Sequence, residues 1–91
     1  MQDEQLIALG DDAEALLKSE PLNRVVNTLA DTAFQNFCNS SPEDTAGRER
    51  SYAHYRALID ILNTLRHQVA VRDEVNAKLD DQNTGNINQE D

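Results

Sequence analysis

Tryptophan is absent from this chain, cysteine occurs once, proline twice and glycine three times, and only four residues of the 91 are aromatic. Each scarcity excludes something. With Cys38 as the sole cysteine, no intrachain disulfide can staple the fold. A lone thiol fits a reducing compartment, or an interior where it acts as a small hydrophobe. Gly10, Gly47 and Gly85 stand isolated, so no glycine-rich phosphate loop can form. No stretch approaches the roughly 18 apolar residues of a membrane span, and no membrane partner is expected. Met1 is followed at once by Gln2, Asp3 and Glu4, with neither a basic nor an apolar leader. That pattern predicts a soluble, cytoplasmic product.

Catalytic and metal-binding constellations are missing as well. His54 and His67 would sit about 20 Å apart on one helix, too far to share a metal ion. No Glu-x-x-His, His-x-x-x-His or Cys-x-x-Cys spacing occurs, so no metal site is expected. The acid pairs Asp11-Asp12 and Asp80-Asp81 are adjacent, and nothing nearby would separate their pKa values for acid–base work. A chain this small also has little room for a substrate cleft. Neither an enzyme nor a cofactor site is expected.

Positive charge is scarce and unevenly placed. Eight Lys and Arg stand against 17 Asp and Glu, a net charge of −9. The acid surplus lies in residues 1–40 and 80–91, while residues 41–79 are balanced. Direct nucleic-acid binding is therefore not expected, since phosphate contact needs clustered Lys and Arg. The acidity serves solubility, or it forms a surface that meets a basic partner or mimics DNA.

What is present is helical periodicity. Leu6, Ile7 and Leu9, then Ala13, Leu16 and Leu17, mark a short N-terminal helical segment. Gly10 either breaks it or only weakens it. Ser19-Glu20-Pro21 is a start signal, with Ser19 as N-cap and Pro21 in the first turn. The helix that follows should run over Glu20–Asn39. Leu22, Val25, Val26, Leu29, Ala30, Ala33, Phe34, Phe37 and Cys38 draw one wide apolar stripe along it. Cys38 lies in that stripe at a helix C-terminus, where the dipole disfavours a thiolate, so a structural role is expected. Asn39-Ser40-Ser41-Pro42 ends the helix.

Asp44 or Thr45 then caps a long helix reaching about Leu79, roughly 50 Å at 1.5 Å per residue. Tyr55, Leu58, Leu62, Leu65 and Val69 follow alternating steps of three and four. That seam matches the second helix in length and predicts an antiparallel hairpin. Val71, Val75 and Leu79 rotate off the seam. They are expected to meet the N-terminal helix or another chain. From Asp80 the sequence DDQNTGNINQED reads as a polar, acidic tail. The expected fold is all-α: a short N-terminal helix, a helical hairpin and a long third helix in one domain, 1–79, followed by a tail, 80–91.

A helix that outruns its own domain needs a partner, so a protein–protein interaction module is the leading expectation. Arg48, Arg50 and Arg56 open the long helix and can pair with Glu43, Asp44, Glu49 and Asp60, for example Arg56 with Asp60. Alternatively, Arg48 and Arg50 join Tyr52 and Tyr55 as an anchor patch, since Arg and Tyr are enriched in such patches. The expected partner-binding residues are Arg48, Arg50, Tyr52, Tyr55, Val71, Val75 and Leu79.

Gly10–Leu17 (GDDAEALL), Leu22 through Phe37, Ser41–Arg50 (SPEDTAGRER) and Ala57–Leu65 together span roughly residues 10–70. In that order they resemble a family of small helical proteins encoded among the virion-assembly genes of tailed bacteriophages. The Pro-Glu-Asp-x-x-Gly-Arg-Glu run before the long helix carries most of the resemblance. It implies a phage origin and a place in the host cytoplasm during assembly or in the virion. The implied partners are virion proteins, further copies of the chain, or both; it implies no activity. The rival expectation is an acidic inhibitor of a host factor, of anti-defence or DNA-mimic type, acting through the acids of Asp3–Glu20.

Overall fold

In a computed structural model, backbone is described for residues 2–90 and side chains for residues 2–82. The chain forms three helices, α1 (Asp3–Leu17), α2 (Glu20–Asn39) and α3 (Thr45–Glu90), with no strand among the described residues.

The helix boundaries follow local chemistry. Asp3 and Glu4 occupy the first turn of α1, where acids suit the exposed N–H groups. Gly10 does not break α1; it lies within continuous helix. Leu17 ends α1, and Ser19 caps α2 by accepting the Leu22 N–H at 3.3 Å, with Pro21 in the first turn. Asn23 Nδ2 donates to the Leu17 carbonyl at 2.9 Å, tying the end of one helix to the start of the next. Asp44 caps α3, its Oδ1 accepting the Gly47 N–H at 2.9 Å.

α3 is the spine, and the other two helices share its length. α2 runs antiparallel along the first part of α3, as the five-residue connector 40–44 requires. α1 packs on the stretch around His67–Val75, and α1 and α2 barely meet. Two faces of α3 are used. Ser51, Leu58, Leu62, Leu65 and Val69 are at least half-buried on one of them; Gln68, Val71, Arg72 and Val75 are so on the other. At about 100° per residue these faces stand roughly 110° apart. This is the rotation off the seam that the sequence pattern foreshadows.

The consequence is a molecule two helices thick. Its extents are 73 × 25 × 18 Å, and its radius of gyration is 20.2 Å, against about 12 Å for a compact chain of this length. The apolar core consists of Ala13, Ala33 and Val75, with no large side chain fully buried among the described residues.

Two expectations need correction here. The polar segment from Asp80 does not leave the helix as a tail; α3 continues to Glu90. The segment contains no proline, the one residue type that would bar the helix outright. Val75, expected to meet the N-terminal helix or another chain, is buried within the chain where α1 lies on α3, and so leaves the expected partner-binding set. Val71 is half-buried beside Leu6 and Leu9. α1 is therefore the element that covers this edge. Leu79 lies past it and remains exposed.

Candidate functional site

An apolar stripe spanning half of a helix's circumference cannot be covered by one neighbouring helix. α3 covers the centre of the α2 stripe, at Ala33, and leaves both flanks open. On one flank Phe34 and Phe37 of α2 meet Tyr52 and Tyr55 of α3 around a shallow cleft floored by Ala33 and Ser51. These are all the aromatic residues of the chain. They are 56, 43, 59 and 40% exposed in that order.

The small floor residues explain the arrangement. Ala33 and Ser51 are both buried, and their short side chains let α2 approach α3 closely. The larger neighbours are then displaced to the sides. Fully exposed, four such rings offer ~200 Å² each, so about half exposure leaves ~400 Å² of aromatic surface on one face. That equals the largest apolar patch of a typical monomer. The cleft continues toward the start of α3 along Phe37, Thr45, Arg48, Glu49 and Tyr52.

The expected anchor set is divided by this geometry. Tyr52 and Tyr55 share the aromatic flank. Arg48 borders it, but its Nη1 donates to the carbonyls of Ser41 at 2.6 Å and Pro42 at 2.9 Å. Arg48 thus fastens the connector between α2 and α3. Arg50 lies on the opposite flank, in a polar depression with Asn36 and His54. Arg56 pairs with Asp60 at 3.2 Å, the i,i+4 pairing its spacing suggested. Leu79 and Val75 are far along α3 from the tyrosines, about 35 Å by helical rise.

Phe34 and Phe37, expected only as part of the wide apolar stripe of α2, are the residues that complete the patch. Cys38, read as a structural residue within the same stripe, is exposed as well. Periodicity ranks residues by face but does not say how wide the covering helix is. The presence of all four aromatic residues on facing sides of one hairpin was the available signal.

A second cluster holds α1 in place. Arg72, its side chain 11% exposed, reaches Asp11 at 2.9 Å and Glu14 at 3.3 Å, and also contacts Asp73 at 3.0 Å. The hydrogen bond from Arg72, its charge and the nearby Lys18 hold the Glu14 carboxyl below its ordinary range. Two of the N-terminal acids thus face a cation of their own chain. Asp3, Glu4 and Asp12 remain exposed. Nothing in the sequence around Arg72 marks this contact, because its partners lie 58 and 61 positions away.

Among the described residues there is no group of His, Cys, Asp or Glu that could hold a metal ion. Nor is any described helix long and apolar enough to cross a membrane. No protein-family model, curated protein or solved structure matches this chain.

Proposed function

We propose that this chain is a non-enzymatic helical interaction module that docks onto a larger protein assembly by burying its aromatic face. The kind of component envisaged is a minor capsid, portal or tail-associated protein of a phage virion. One observation carries the docking role: every aromatic side chain of the chain stands on one face, about half exposed, in a molecule that fully buries no large side chain among the described residues. Aromatic residues are enriched at the centres of protein interfaces. The virion setting rests on the resemblance carried by residues 10–70.

The test is cosedimentation with assembled capsid, portal and tail proteins of tailed phages. The expected result is that the chain pellets with the assembly, Tyr52→Ala remains in the supernatant, and added salt changes little. Apolar docking is only weakly screened. A chain that stays in the supernatant with every assembly rejects the virion role. Binding that weakens steeply with salt and ignores Tyr52→Ala supports instead an acidic regulator that meets a basic groove.

A further inference from the structure

We infer that the aromatic face pairs with the same face of a second copy, so that two α2–α3 hairpins close into a four-helix bundle about a two-fold axis. This pairing rests on the docking role proposed above and makes a second copy, carried in the same assembly, the occupant of the face.

Area, architecture and charge support a second copy. About 400 Å² of aromatic surface on each copy gives ~800 Å² from the rings alone. Stable interfaces begin near 1,200 Å² in total, so the rim must supply roughly a third. The cleft extends past Phe37 and Tyr52 toward Thr45, which provides such a rim. Two antiparallel helices with one open apolar flank are also half of a four-helix bundle, and an identical hairpin supplies the missing half.

Charge separates a second copy from a basic partner. The surplus of acid lies outside the hairpin, in α1 and from Asp80 onward. Around the aromatic face both signs alternate: Arg48 and Glu49 at one end, the Arg56–Asp60 pair at the other. A two-fold contact sets a surface against itself, and a mixed, nearly neutral rim is self-complementary where a single-sign rim would repel.

Sedimentation equilibrium on the full chain tests this. The expected mass is twice the 10.2 kDa of one chain. Phe34→Glu should weaken the dimer about a thousandfold, because a two-fold contact loses the central residue twice, at about thirtyfold each. Leu29→Glu, on the opposite flank of α2, should leave it dimeric. Because a glutamate could also disturb folding, the native sequence carries a second test. A nitroxide on Cys38, the exposed and only cysteine, should give dipolar coupling between copies that disappears on dilution with unlabelled chain. A dimer lost in Leu29→Glu but kept in Phe34→Glu overturns the assignment of the face. A wild-type monomer without dipolar coupling overturns the second copy. If that monomer also gains stability and loses aromatic exposure on a phage assembly, the docking role stands without self-pairing. If it does neither, both fall.

Discussion

Gly10 and Arg72 meet where α1 crosses α3. A side chain at Gly10 would overlap Arg72 Cβ, the rigid base of that side chain, and would also crowd its Cγ and Cδ at 2.9 Å. The backbones would have to separate. Gly10→Ala gains about 1 kcal/mol of helix propensity but forces overpacking that costs about 1–3 kcal/mol. The expected outcome is a net loss of stability, read as a lower urea midpoint, with α1 amides losing exchange protection first. Glu14 gives a pH signature at the same contact. Its carboxyl titrates in the folded chain below its ordinary value of 4.5, chiefly through the hydrogen bond from Arg72. A depressed carboxylate stabilises the fold above the unfolded value, and that contribution disappears as pH falls through the folded value. Glu14→Gln should therefore lower the urea midpoint at neutral pH, and the gap to the wild type should close in acid, below the ordinary carboxylate range. A gap that persists unchanged in acid would assign Glu14 a packing role instead.

At the level of helices, the approach of α2 to α3 depends on Ala33 and Ser51 being small. Ala33→Leu places three extra carbons in a buried crease and should cost about 1–3 kcal/mol. The fluorescence of Tyr52 and Tyr55 should change with it, because the cleft they border opens. This element was legible in the sequence: Ser19, Pro21 and the Asn39–Pro42 run mark both ends of α2, and local capping chemistry needs no tertiary information. The start of α3 was equally legible from Asp44. Continuity through Gly10 was not, because whether one glycine interrupts a helix depends on packing, and Gly10 is buried under Arg72. The candidate site was half legible. Tyr52 and Tyr55 could be named as surface anchors from composition. Phe34 and Phe37 could not, since an apolar stripe looks the same whether it is covered completely or only at its centre.

The shape of the whole molecule sets how two copies can meet. The aromatic cleft is centred between Tyr52 and Tyr55, about 13 Å from the start of α3 by helical rise. The face is thus near one end of a particle 73 Å long. If two long helices met there side by side and parallel, the dimer would keep roughly that length. It would also align the acidic α1 segments with each other and bring Asp80 and Asp81 of the two copies together, within reach of one another at ordinary ionic strength. An antiparallel meeting sends those acids to opposite poles and overlaps only the first part of each α3. The repulsion favours the second arrangement, whose maximum dimension would be about 120 Å on a rise of 1.5 Å per residue. Small-angle scattering at a concentration where the dimer is formed should therefore give a doubled mass and a particle much longer than one chain. Lowering the salt should strengthen the preference, because screening weakens. A doubled mass with a maximum dimension near 73 Å would show that packing along the rods outweighs the repulsion between their acidic ends, and that the interface reaches well beyond the four aromatic rings.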